Sequence, residues 1–316
     1  MKHLVLFALI NTFIACQTTE NSEGVKSMIS DLTNFDALWN YHAPEETRKK
    51  FLDVYEQHKN SDDTNYLLEL KTQIARTYSL QAKFEEAHKI LDEVEAKLSA
   101  DTAKAKVRYQ LERGRTFNSA NQKQEARSLF EQAFENANTI AAENLAIDAA
   151  HMVAIAATSI EDKIVWNQNG LNTAKKSQDK NSKRWIGTFL NNMGWDLFDA
   201  GRYGEALTSF KECWSFHEQS NNENELKIAK WSVAKTLRLM GQINESLDIQ
   251  LDLLKADNGI DDSGYGYEEL AELYLVKNEV ELSKEYFKKA YDILSKDIWL
   301  QKNEKERLDR IRGLML

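Results

Sequence analysis

One proline, Pro44, and twelve glycines are all the turn punctuation this chain of 316 residues has. A sandwich or barrel needs many tight turns, each with its own Gly, Pro or Asn signal, so an all-β fold is excluded and a nearly all-helical one expected. Cysteine is as scarce: Cys16 and Cys213 allow no disulfide framework. Positive charge is in deficit, with 41 Lys and Arg against 50 Asp and Glu and a net charge of -9. Nucleic-acid binders carry a basic domain or stripe, so no nucleic-acid partner is expected. The sequence also lacks a glycine-rich phosphate loop, a His-x-x-x-His pair, a Cys-x-x-Cys pair and a strand-turn-helix nucleophile elbow. Without them the chain is expected to be no enzyme, with no catalytic residues, no cofactor and no metal site.

A long apolar run occurs once. Residues 4–15, "LVLFALINTFIA", follow Lys2 and are too short for a membrane-spanning helix of about 20 residues, but they suit the core of a signal peptide. The run ends in "FIAC", where Ala15 and Cys16 resemble the bacterial lipobox, in which a small residue precedes a cysteine that is lipidated and becomes the mature N-terminus. Phe13 departs from the leucine usual in that motif. The resemblance implies a signal peptide over 1–15, lipidation at Cys16 and a bacterial membrane-anchored lipoprotein at the periplasmic or outer-membrane face. The polar, small-residue stretch that follows reads as a flexible tether over 16–27.

The stretch "NNMGWDLFDAGRYGEALTSF" places Gly194, Gly201, Ala206 and Phe210 at offsets 0, 7, 12 and 16 within a helical run. The first small position recurs as Ala75, Gly114, Ala154, Gly194, Ala234 and Ala271, at intervals of 39, 40, 40, 40 and 37 residues. The turn position recurs as Ala82, Asn121, Gly201, Gly241 and Asn278, and the second small position as Ala87, Ala126, Ala206, Ser246 and Ser283. The large position holds Leu91, Phe130, Phe210, Gln250 and Phe287. Small residues let two antiparallel helices approach, a turn-tolerant residue ends the first, and the aromatic fills space toward the next pair. The pattern resembles the tetratricopeptide repeat, whose common unit is 34 residues. It implies an all-α solenoid of stacked helix pairs, six over 65–295, because such repeats bury their apolar faces only by stacking.

Three regions depart from the pattern. In the third repeat Trp166 and Gly170 occupy the second small and large positions, which suggests that large and small side chains have exchanged across the pair. Residues 28–59 read as a degenerate N-terminal helix pair, because Thr47, Phe51 and Val54 precede Ala87, Leu91 and Val94 by 40 residues and Pro44 suits a first helical turn. Residues 296–316, with Ile298, Trp299, Leu300, Leu308 and Ile311 among many charges, read as a C-terminal capping helix.

In the tetratricopeptide family the first helix of each pair lines a concave groove with its second, fifth, ninth and twelfth residues. Here these are Arg108, Leu111, Arg115 and Asn118, then Asp148, His151, Ile155 and Thr158, then Thr188, Asn191, Trp195 and Phe198. The fifth repeat gives Ile228, Trp231, Lys235 and Arg238, and the last Tyr265, Glu268, Glu272 and Leu275. The clamp by which some relatives hold a C-terminal carboxylate is absent; Asn191 and Asn192 are its partial echo. The candidate groove residues are therefore Arg115, His151, Asn191, Asn192, Trp195, Trp231, Lys235 and Arg238. Asp148 and His151, three apart on one face, read as a surface hydrogen bond rather than an acid–base pair. Cys213 reads as a small buried thiol.

The expected function is a non-catalytic, membrane-anchored scaffold that binds a peptide or protein segment in its groove, with an acidic and aromatic or aliphatic partner. Two alternatives remain open: an accessory lipoprotein of an outer-membrane assembly or secretion complex, and a lipoprotein that binds a small molecule or glycan on Trp195 and Trp231.

Overall fold

A computed structural model describes residues 35–256 and 264–316. Residues 1–34 lie outside it, and with them Cys16, the lipobox, the tether and the first part of the degenerate pair. Among the described residues the structure holds α-helices, two short 3-10 turns and no strand. The helices are α1 (Pro44–His58), α2 (Thr64–Ser79), α3 (Phe84–Glu95), α4 (Ala103–Ser119), α5 (Lys123–Thr139), α6 (Glu143–Ala156), α7 (Ile160–Lys176) and α8 (Lys180–Asp199). They continue with α9 (Tyr203–Gln219), α10 (Glu223–Leu239), α11 (Ile243–Ala256), α12 (Tyr265–Val276), α13 (Val280–Leu294), α14 (Ile298–Asn303) and α15 (Lys305–Leu314). The chain divides into two compact units, Met1–Trp185 and Ile186–Leu316, with the boundary inside α8. Each unit is an α-solenoid of stacked helix pairs, as the repeat pattern implies.

The turn positions read from the sequence end the first helices. Ala82, Asn121, Gly201, Gly241 and Asn278 all have positive φ, between 57° and 78°. This left-handed residue lets the next amide reach back to the helix, as Arg202 does to the Leu197 carbonyl at 2.9 Å. The small positions are close-packed, and the aromatic belongs to the same pair rather than to the next. A methyl built on Gly114 would stand 2.5 Å from the Phe130 ring, and one on Gly194 would stand 2.4 Å from Phe210. Where the second small position is serine, its hydroxyl serves the crossing: Ser246 donates to the Ala234 carbonyl at 2.7 Å and Ser283 to Ala271 at 2.9 Å.

The third pair differs for a reason other than side-chain exchange. Its second helix, α7, starts at Ile160, six residues after Ala154, whereas α9 starts at Tyr203, nine after Gly194. Ala157 is extended, with φ -66° and ψ 144°, so α6 stops early and Ser159 caps α7. Trp166 and Gly170 are thus not equivalent to Ala206 and Phe210. Trp166 packs edge-on against Phe134 at 5.2 Å, while Gly170 is buried. Thr158, assigned to the groove by spacing, lies in the exposed connection outside α6.

The two flanks depart from the repeat geometry. In the described part of 28–59, a 3-10 turn at Phe35–Leu38 precedes α1, which opens on Pro44 and buries Thr47 and Phe51. The C-terminal segment is a pair, α14 and α15, broken at Glu304, where φ is -130° and ψ 39°. It still closes the end of the second unit: Leu300, Leu308 and Ile311 pack with Phe287, Ala290 and Leu294 of α13.

Candidate functional site

The first helices of successive pairs place their half-buried polar and aromatic side chains side by side within each unit. In the second unit the Trp195 and Trp231 rings stand 5.7 Å apart, and Trp231 and Tyr265 6.1 Å apart, so α8, α10 and α12 carry an aromatic ladder. Trp231 donates its indole N–H to the Tyr265 carbonyl at 3.3 Å, which fixes the ring. Trp195 also lies edge-on to Phe198 and Phe210, each at 5.1 Å. Asn191 and Asn192 are half-buried on the same helix, and Asn191 Oδ1 is buried without a hydrogen-bond partner.

Beside the ladder stands a buried ion triad. Arg238 donates from Nε to Glu269 Oε2 at 2.7 Å and from its terminal nitrogen to Oε1 at 3.1 Å, while Lys235 Nζ donates to Oε1 at 2.5 Å. The Glu269 side chain is 1% exposed. Burial alone would raise its pKa, but the two cations bring it down to about 2. Arg238 is held more basic than usual: burial opposes its charge and Glu269 outweighs burial. Lys235 also lies 5.0 Å over the Trp231 ring. The two cations, which the sequence suggested as free carboxylate receptors, are thus already met by an internal carboxylate. The next acids are taken by the cap, with Arg307 on Glu268 and Arg310 on Glu272.

The first unit presents a different surface, built on charge. Arg115 bridges α4 and α6, donating to Glu112 at 2.7 Å and to both Asp148 oxygens at 2.5 and 2.6 Å. Arg76 of α2 approaches Glu112 at 3.6 Å, and Arg108 and Lys104 each lie 3.3 Å from Glu69. Burial disfavours the Asp148 charge, but Arg115 more than compensates and lowers its pKa. His151 is buried against Trp185, with ring centroids 5.0 Å apart, and burial brings its pKa down to about 4. The pair expected at the surface is therefore buried: Asp148 is held by Arg115 of the preceding first helix, and His151 is 7% exposed beside Trp185. Spacing along one helix gives no view of Arg115 on the helix before.

Not every residue at groove spacing faces the groove. Leu111 is fully buried in the core and Phe198 is 8% exposed. Sequence reasoning passed over Glu112 and Glu269, which follow the fifth position directly, and Arg76, in the pair whose groove residues were not assigned. A charged residue next to a core position was the available signal for both glutamates. Cys213 is buried as expected, with burial pushing its thiol up to about 12. Among the described residues, no group of His, Cys, Asp and Glu is arranged to hold a metal ion, and no helix is long and apolar enough to cross a membrane.

The family model described as tetratricopeptide repeat matches residues 187–224, the pair formed by α8 and α9. Comparison with curated proteins gives no match. Among solved structures, the apo form of RapI is similar with a TM-score of 0.72 at 12% identity, over 86% of this chain and 77% of that one. The apo form of the quorum sensor NprR from B. thuringiensis gives 0.60 at 14% identity, over 87% and 78%. The C-terminal part of a TPR repeat-containing protein from Cytophaga hutchinsonii gives 0.56 at 14% identity, over 84% and 96%. At these identities the likeness is one of fold.

Proposed function

We propose that this chain is a non-catalytic scaffold, anchored to a bacterial membrane by lipid on Cys16, which binds a polypeptide segment along the first helices of its repeats. The observation that carries this reading is the ladder of Trp195, Trp231 and Tyr265 on consecutive first helices. Half-buried, rigid aromatic rings give broad contact at small entropic cost, the character of interface hot spots. The partner supplies an aliphatic or aromatic anchor to this ladder. Because Glu269 already neutralises one of the two cations beside it, the site attracts a single carboxylate, not a polyacidic tract. Asn191, half-buried on the same helix as Trp195, offers a side-chain amide to the partner's backbone.

Parallel binding to immobilised peptide and glycan arrays tests the reading. Peptides that the wild type retains, and Trp231→Ala loses by tenfold or more in affinity (about 1.4 kcal/mol), are the expected result. Retention of glycans alone would replace it with the carbohydrate alternative.

A secretion- or assembly-complex role draws support from a separate feature. An open surface groove of the second unit runs between α9 and α11 over Val233 of α10, lined by Trp214, Ile249, Glu245 and Asp248. Such a role uses that outer face in place of the ladder.

A further inference from the structure

Two helix faces frame the outer groove of the second unit. Trp214 and Glu218 stand four residues apart on α9, Asp248 and Asp252 four apart on α11 with Ile249 between them, and Val233 of α10 is the floor. Val233 is two residues from both Trp231 and Lys235, about 200° around the helix, so the groove lies on the side of α10 away from the ladder. Its largest side chain is already held in place: the Lys230 ammonium stands 5.2 Å over the Trp214 ring. A partner that lays an apolar side chain against Trp214 therefore has little ordering cost to meet there.

Charge decides what such a partner carries. Glu218, Asp248 and Asp252 are exposed and, among the described residues, make no ion pair. The cation on the rim, Lys211, lies 3.7 Å from Glu245, with the two side chains 51% and 53% exposed, a pair that water screens. Asp248 and Asp252 repel each other along α11, so the helix gains when a cation comes between them. A groove between second helices of the first unit, α3 and α5, is lined by Ala100, Ala103, Asn136 and Thr139 with one acid, Glu95, and one base, Lys106. Groove shape thus comes with the repeat, whereas the unmatched carboxylates belong to α9 and α11.

Asp248 and Asp252 are separated by about 6 Å along α11, the rise over four residues, and basic side chains four apart on a second helix have the same separation. We infer that the outer groove docks a cationic amphipathic helix of a partner polypeptide, with its aliphatic stripe on Trp214 and Ile249 and its Lys or Arg side chains on Asp248 and Asp252. Apolar contact supplies the hold, and the complementary charge supplies the selection. The inference does not depend on the ladder, whose partner carries a carboxylate; it states the chemistry by which the outer face would be used.

The test uses the full chain and two labelled helical peptides, ALKAALKAALKAALKA and its neutral twin ALQAALQAALQAALQA. At low salt the wild type is expected to bind the lysine peptide at least tenfold more tightly than the twin, with the advantage shrinking as salt is added. Asp248→Asn with Asp252→Asn, an isosteric change at exposed positions, removes that advantage. Glu85→Gln with Glu86→Gln, which takes the same charge from exposed positions of α3, leaves it intact. Equal binding of the twin, or equal loss in both double variants, would overturn the charge match, and no binding of either peptide would overturn the site. Loss on Trp231→Ala in place of the groove variant would put the peptide on the ladder and overturn the groove. A wild type that dimerises in solution while the Asp248, Asp252 variant stays monomeric would make a second copy the occupant and overturn the cationic helix.

Discussion

Phe210 lies directly against the α-carbon of Gly194, so close that a methyl at that position would stand 2.4 Å from the ring. Gly194→Ala is therefore expected to destabilise by about 1–3 kcal/mol, the usual cost of overpacking, even though alanine is the better helix former. Gly204→Ala is the control: a methyl there meets nothing within 4 Å, and the helix gains propensity. Urea denaturation of the two variants should move the midpoint in opposite directions. Equal midpoints would mean that the helices part easily at this crossing.

The buried triad predicts a strong charge effect. Glu269→Gln leaves Lys235 and Arg238 facing each other in a buried site, at an expected cost of about 3 kcal/mol or more. The acid dependence follows from the depressed pKa. A carboxylate at about 2 when folded and near 4.5 when unfolded contributes stability fully present above about pH 4.5 and lost as pH falls toward 2. Thermal unfolding of wild type and Glu269→Gln should converge across that window and differ most above it.

His151 gives a second, separate window at higher pH. It is held neutral down to about 4 by burial, with Asp148 opposing and Arg115 reinforcing that effect, whereas the unfolded chain protonates near 6.5. The unfolded state thus binds the proton first, and stability falls as pH drops from about 6.5 to about 4, by up to roughly 3 kcal/mol. NMR titration should find the His151 ring uncharged at pH 5.5, and His151→Gln should flatten this part of the stability profile. A ring that titrates at 6.5 in the folded protein would contradict its burial.

Much of this architecture can be read in the sequence because close approach and backbone sign constrain residue type. Only small residues fit at Gly114, Gly194 and Ala206, and the left-handed turns fall on Ala82, Asn121, Gly201, Gly241 and Asn278 as the spacing predicts. The surface chemistry was less legible. Glu269 meets Lys235 and Arg238 from 34 and 31 residues away, on another helix, and periodicity along one helix names a face without naming what the neighbouring helix brings to it. The early stop of α6 at Ala156 carries no Gly or Pro, so the one-turn shift that moves Thr158 out of the groove left no mark. Likewise the placement of Trp39 and Tyr41 over Arg76 depends on a turn closed by Thr47, a residue whose spacing marks it only as a small packing position.

Membrane attachment has its own direct check. Metabolic labelling with a fatty acid is expected to mark the wild type and not Cys16→Ser, and the variant should leave the membrane fraction. Removing the acyl chains removes about 0.8 kcal/mol of membrane affinity for every buried methylene. An unlabelled wild type that fractionates with soluble protein would remove the anchor from the proposal.

The central claim, that a polypeptide lies along the first helices, is tested most directly by where a bound peptide touches the protein. A peptide selected on the full chain and remade with a photoreactive aromatic anchor should crosslink to α8 and α10 at Asn191, Trp195 or Trp231. Crosslinks on the second helices instead, at Lys211, Trp214 or Ile249 around the outer groove, would contradict it.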